Sequence, residues 1–106
     1  MVDHYTVTTT TPDRETAARL AASAVREKLA ATAQVDGPVA SYFWHLGEAG
    51  EGQEWIASFK TTSTRYADLE AHVIANHAWN KPEVTAVKLE TGSADYLRWV
   101  EDSTTG

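Results

Sequence analysis

The alternation of strand-like and helix-like segments, separated by glycine and proline, constrains the fold of this chain more than any other feature. β-Branched residues dominate 5–11, which favours a strand. After Pro12-Asp13, apolar residues recur at three- and four-residue spacing, which predicts a helix over 13–31. The same criteria predict strands at 39–46, 54–62 and 84–89, helices at 64–77 and 94–102, and a frayed tail at 103–106.

Three glycines between residues 47 and 52 indicate a hairpin between the second and third strands. The resulting order, β-α-β-β-α-β with a terminal helix, predicts a ferredoxin-like α+β sandwich. The chain has 106 residues, so we expect a single domain over 1–106. The hairpin is more aromatic than one sandwich needs, and a long exposed edge would aggregate. We therefore predict a homo-oligomer in which sheet edges pair between subunits.

Composition excludes several classes of function. Cysteine is absent, which excludes disulfide scaffolds, thiolate metal sites and cysteine nucleophiles. The formal net charge is −6, so we expect neither nucleic acid nor an anionic membrane as a partner. The sequence shows no targeting segment and no apolar run of about 20 residues, so we expect a cytoplasmic protein.

A series of short motifs runs through the chain from about residue 5 to 103. The motifs are Pro12-Asp13, Glu27-Lys28-Leu29-Ala30-Ala31, Ser41, Gly47, Glu54, Lys60-Thr61-Thr62, His77, Pro82-Glu83, Gly92-Ser93, Tyr96-Leu97 and Trp99. In this order and spacing they resemble the CutA divalent-cation-tolerance family. The resemblance implies a ferredoxin-like fold, a tightly packed homotrimer, and an association with copper and other divalent cations.

The chain departs from the pattern of that family at polar and soft-ligand positions. Thr32 stands where the family has the cysteine of Leu-Ala-Ala-Cys, and Asn80 replaces the first glutamate of its His-Pro-Tyr-Glu motif. Ala78-Trp79 replaces the Pro-Tyr of that motif, and His45 occupies the position of a hairpin tryptophan. Backbone and turn positions match throughout, which is typical of a retained scaffold with an altered site.

The metal ligands that remain are imidazole and carboxylate, since copper(I) prefers thiolate or thioether. The histidine spacing contains no metal-binding motif, so we expect no preformed site within one chain. A site assembled across subunits from His77 and Glu83 stays open, with weak copper or zinc binding as its expected property. For His77 we favour the alternative of a capping or packing role at the end of the second helix.

The leading hypothesis is a trimer of CutA type that binds divalent cations or a small ligand at subunit interfaces, with a role in metal tolerance. Aromatic side chains at such an interface are suited to a flat organic ligand. The candidate ligand-binding residues are Phe43, Trp44, Trp79 and Asn80.

A second hypothesis is that the scaffold serves as a biosynthetic enzyme acting on a small molecule. His45 would then be a general acid or base in an aromatic cleft, because the pKa of imidazole ordinarily lies near neutrality. Glu54, Lys60 or Glu83 would orient it. The alternative for His45 is a surface or interface histidine, which we favour because the spacing shows no partner. A purely structural or partner-binding trimer is the third possibility, and the sequence leaves open whether the protein is an enzyme.

Overall fold

The computed structural model describes residues 2–105 and contains four strands and three helices in that range. The strands are β1 (His4–Thr11), β2 (Thr32–His45), β3 (Glu48–Thr62) and β4 (Thr85–Lys88). The helices are α1 (Arg14–Arg26), α2 (Tyr66–Asn76) and α3 (Ala94–Ser103). The element order is the predicted one.

The four strands form one antiparallel sheet in the order β2-β3-β1-β4. Successive side chains of a strand point to opposite faces, so Val7 on β1 and Phe59 on β3 share the face that α1 and α2 cover. Leu20 of α1 and Leu69 of α2 are fully buried against them. Helices on one face of an antiparallel sheet in this order confirm the ferredoxin-like α+β prediction.

Helix α3 packs on the opposite face of the sheet, at the end where β1 begins. His4 is three residues from Val7 on β1, so the two side chains point to opposite faces of the sheet. The His4 Nε2 atom lies 2.7 Å from Oε2 of Glu101 on α3. Val100 is buried outside the main core cluster. Because α3 covers only this end, second-face residues farther along the sheet, such as Thr8 and Ile56, are only partly buried.

Helix α1 ends five residues earlier than the predicted helix over 13–31. Lys28 has a φ of +60°, and the Leu29 N–H donates to the Ala24 carbonyl at 2.9 Å, so the chain turns away from the helix axis there. Leu29 and Ala30 are buried in the core after this turn. The apolar spacing continues through Leu29 because the residue packs inward, although it is no longer helical.

Strand β2 begins at Thr32, seven residues before the predicted strand at 39–46. A bulge between Asp36 and Val39 absorbs Gly37-Pro38 inside the strand, where the sequence indicated a break. The turn of the hairpin is only Leu46-Gly47, with φ of +52° and +82°. The glycines at 50 and 52 therefore belong to β3 and not to the turn.

The two long strands form an arm that projects from the body of the molecule. β2 has 14 residues and β3 has 15, well beyond the usual five or six. The radius of gyration is 14.3 Å, against about 13 Å for a compact chain of this length. The arm accounts for the longest dimension of the molecule, 44 Å against 25 and 21 Å.

The end of the chain is more ordered than the frayed tail predicted at 103–106. Ser103 belongs to α3, and Thr104 is buried. The Thr104 hydroxyl donates to the Val100 carbonyl at 2.9 Å, which secures the residue to the last turn of the helix. Gly106 lies outside the described residues.

Candidate functional site

A cleft of about 1020 Å³ extends along the β2–β3 arm from the point where the arm leaves the body of the molecule. Three parts of the chain that are distant in sequence form its walls: the end of β1, the two strands of the arm, and the segment between α2 and β4. The lining residues are Thr10, Ser41, Tyr42, Phe43, Trp44, His45, Glu54, Trp79, Asn80, Lys81 and Glu83.

Seven of the nine candidate residues named from the sequence line this one cleft. They are Phe43, Trp44, His45, Glu54, Trp79, Asn80 and Glu83. His77 and Lys60 do not line it. Lys60 pairs with Thr6 and Thr32 at the far end of β3, six residues from Glu54 and thus about 20 Å along the strand. The structure therefore separates Lys60 from His45, and Lys60 cannot orient the His45 imidazole within one chain.

His77 is held between two backbone groups. Its Nε2 lies 2.8 Å from the Thr10 carbonyl oxygen, and its Nδ1 accepts the Trp79 N–H at 3.0 Å. A carbonyl only accepts and an N–H only donates, so Nε2 carries the proton and Nδ1 carries the lone pair. Both ring nitrogens are engaged, and neither is left to bind a metal ion. The geometry favours the structural role over the ligand role for this residue.

The same contacts position the wall of the cleft formed by Trp79. The hydrogen bond from the Trp79 N–H fixes its backbone, and the indole lies against the His77 ring with centroids 5.4 Å apart. The bond from His77 to Thr10 secures the segment after α2 to β1. Trp79 is thereby held beside the arm although it lies outside every helix and strand.

The ring of Phe43 is positioned by the two glycines of β3. A Cβ atom at Gly50 would lie 3.1 Å from Cε1 of Phe43, and one at Gly52 would lie 4.0 Å from the same ring. Gly50 is the cross-strand partner of Phe43 in the register. The ring therefore occupies space that a side chain at Gly50 would take, and the glycines shape the cleft as well as the arm.

The charged groups of the cleft differ in how they are paired. Glu83 accepts the hydroxyl of Thr85 at 2.9 Å, whereas Glu54 is half-buried and has no side-chain hydrogen bond or ion pair among residues 2–105. Lys81 is exposed at the rim. In the same range of residues, no three histidine, aspartate or glutamate side chains are placed to share a metal ion.

Four lining residues were not among the candidate site residues named from the sequence: Thr10, Ser41, Tyr42 and Lys81. The Thr10 carbonyl accepts a hydrogen bond from His77, and a backbone contact of this kind carries no sequence signal. Tyr42 and Lys81 are adjacent in sequence to predicted site residues, and that adjacency could have identified them.

Comparison with known proteins decides the family. Residues 5–103 match the family profile described as CutA1 divalent ion tolerance protein. The chain belongs to the CutA1 family. This match confirms the resemblance found in the sequence, and it covers all the elements that build the cleft.

Named members of the CutA1 family align over most of this chain. Protein CutA 1, chloroplastic, from Oryza sativa is 35% identical over 97% of the chain, but the chain spans only 58% of that relative's length. The divalent-cation tolerance protein CutA from Archaeoglobus fulgidus is 30% identical, with 94% of this chain and 97% of the relative aligned. The solved structure of the divalent cation tolerance protein (CutA1) from Thermus thermophilus superposes with a TM-score of 0.91 at 32% identity, covering 98% of this chain and 99% of that one.

The compartment is not uniform among these relatives. The rice protein is named chloroplastic, and a solved structure of the Archaeoglobus fulgidus protein is described as periplasmic. None of the helices within residues 2–105 is long and apolar enough to span a bilayer. The cytoplasmic location expected from the sequence stays a prediction.

Proposed function

We propose that this chain forms a homotrimer that acts in divalent-cation tolerance and binds its ligand in the aromatic cleft, at the contact between subunits. The names of its relatives support the cation role. The observation that carries the location is the cleft itself, where a half-buried Glu54 without a protein partner lies among aromatic side chains.

Exposed apolar side chains on the arm support the assembly. Near the hairpin tip, Tyr42 is 74% exposed, Trp44 is 79% exposed and Leu46 is 90% exposed. Contiguous apolar surface of this kind marks an interaction site in a soluble protein. Both edge strands, β2 and β4, also have one unpaired side among the described residues. A second and third copy of the chain would cover these surfaces.

The cation ligands available in the cleft are Glu54, Glu83 and His45. Carboxylate and imidazole suit zinc and copper(II). Since one chain does not bring three such groups together within residues 2–105, a complete site needs ligands from a neighbouring subunit, and we expect weak binding. His77 is omitted from this proposal because both of its nitrogens are engaged.

Calorimetric titration with copper(II) and zinc tests the cation role. We expect saturable heat with the wild-type protein and a clear loss of affinity in Glu54→Gln and Glu83→Gln. Glu51→Gln is the matched control, since it changes the charge equally outside the cleft lining and should leave the affinity unchanged. The absence of saturable heat for either metal would reject the cation role, and an equal loss of affinity in Glu51→Gln would reject the assignment of the site to the cleft.

The enzymatic alternative rests on His45, which lines the cleft together with Glu54 and Trp44. The register pairs His45 with Glu48, six residues along β3 from Glu54, so His45 would transfer a proton on a small organic substrate held against the aromatic side chains of β2. A screen of small organic substrates, repeated with His45→Gln, tests it. Turnover that is unchanged in the variant would remove His45 from any mechanism.

A further inference from the structure

We propose that the cleft selects an organic cation that carries an apolar or aromatic body, in addition to any simple metal ion. The inference rests on the proposed ligand site in the cleft along the arm. It concerns the chemical class of ligand that this site prefers.

The charges of the cleft favour a cation. Two carboxylates, Glu54 and Glu83, line it against one ammonium group, that of Lys81. Lys81 is exposed, whereas Glu54 is half-buried and without a protein partner in the described part of the chain. A partly desolvated carboxylate without a partner gains a charge-assisted hydrogen bond from a ligand N–H donor.

The aromatic walls favour a cation with an organic body. Phe43 is 42% exposed and Trp79 is 37% exposed, and they line the cleft from the arm and from the segment after α2. Faces of aromatic rings attract ammonium and guanidinium groups, and they also bury an apolar body. A hydrated metal ion gains from the carboxylates but has no apolar surface to bury against these walls.

Both walls are fixed before any ligand binds. The Trp79 backbone is held by His77, and the Phe43 ring is seated over Gly50. Walls that are already ordered reduce the entropy lost on binding. The cleft is therefore built to recognise the body of a ligand as well as its charge.

Binding of four small probes, followed by tryptophan fluorescence and calorimetry, tests the proposal. Phenethylamine carries the charge and the ring, 2-phenylethanol the ring without charge, phenylacetate the ring with opposite charge, and methylammonium the charge without the ring. We expect phenethylamine to be the only one of the four probes that binds saturably below about 10 mM. Failure of phenethylamine to saturate in this range, or equal binding of phenylacetate, overturns the proposal.

Variants assign the effect to the cleft. Glu54→Gln should weaken phenethylamine binding about tenfold, because the neutral amide cannot pair with the ammonium group. Glu51→Gln changes the net charge equally on the same strand but outside the cleft lining, and should leave affinity unchanged. Equal losses in the two variants, or no loss in Glu54→Gln, overturn the assignment.

Trp79→Ala separates this proposal from the cation role. It should weaken phenethylamine binding about tenfold and leave zinc binding unchanged, and Trp79→Phe should recover part of the loss. Wild-type protein that binds phenethylamine but not zinc or copper would reject only the cation role. Protein that binds zinc but not phenethylamine would reject only the present inference.

Discussion

Two buried threonines show how a single hydroxyl decides the sign of a residue's contribution. Thr9 and Thr61 are both fully buried. The Thr61 hydroxyl donates to the Leu29 carbonyl at 2.7 Å, whereas the Thr9 hydroxyl has no partner among the described residues. A buried polar group without a partner retains its desolvation cost, while a paired one recovers it.

We therefore expect opposite effects when each threonine is replaced by valine, which has nearly the same shape. Thr9→Val should raise the free energy of unfolding by about 1 kcal/mol, and Thr61→Val should lower it by about 1 kcal/mol or more. Urea denaturation at one fixed protein concentration measures both. A destabilised Thr9→Val variant would show that its hydroxyl has a partner in solution.

At the level of the element, the start of α1 depends on one carboxylate. Asp13 accepts the Thr16 N–H at 2.7 Å as the N-cap of the helix. Hydrogen bonds from the Thr16 backbone and then from its side chain lower the pKa of Asp13, with a smaller contribution from Arg19. A lowered pKa in the folded state stabilises the fold above the ordinary aspartate value, and this stabilisation is lost as the pH falls through the lowered value.

Asp13→Ala should therefore melt at a lower temperature than the wild type near neutral pH, and the difference should narrow below about pH 4. Asp13→Asn keeps a capping oxygen that does not titrate, so its difference from Asp13→Ala should change little with pH. Thermal unfolding followed by circular dichroism across this range measures both. A difference between wild type and Asp13→Ala that is constant with pH would contradict the role of the charge.

The bulge in β2 depends on Gly37. Its φ is +151°, and a Cβ atom there would lie 2.7 Å from Cε3 of Trp55 and 3.1 Å from the Glu54 carbonyl oxygen. Gly47 at the hairpin turn also has a positive φ, +82°, but a Cβ there would meet nothing within 4 Å. Glycine is thus required at position 37 by both space and backbone conformation, and at position 47 by backbone conformation alone.

Gly37→Ala should lower the free energy of unfolding by about 2 kcal/mol or more, since it adds a clash to the backbone strain. Gly47→Ala should cost only about 1 kcal/mol. Because a Cβ at residue 37 would press against the backbone of Glu54, the replacement should also disturb the cleft. Chemical denaturation measures both variants. An equal loss in the free energy of unfolding for Gly37→Ala and Gly47→Ala would show that Trp55 moves aside freely.

At the scale of the whole molecule, the arm carries exposed apolar surface that a single copy of the chain does not cover. We expect a mass of about 35 kDa by light scattering, three times the 11.6 kDa of one chain. Trp44→Lys places a charge in the exposed apolar surface of the arm and should shift the protein towards smaller species. Val25→Lys on α1, where the side chain is 38% exposed, is the matched control and should leave the mass unchanged. A monomeric wild-type protein would reject the proposed assembly.

The order of the elements was decided by the sequence itself. Periods of two and of three to four residues are local properties, so the strands and helices could be placed in order along the chain without knowing their neighbours in space. The end of α1 could not be assigned in this way. Leu29 continues the helical spacing, but a left-handed Lys28 and burial against the sheet end the helix before it.

The candidate site was decided by the tertiary structure. The sequence supplied most of its residue types, yet Thr10, Glu54 and Trp79 meet only because the sheet order places β1 beside β3 and a hydrogen bond from His77 secures the segment after α2. The same bond removed His77 from the list of free metal ligands, and the length of β3 separated Lys60 from the cleft. Contacts between residues this far apart in the chain cannot be predicted from the spacing of residue types. They depend on packing between elements, whereas spacing reports only the periodicity within one helix or strand.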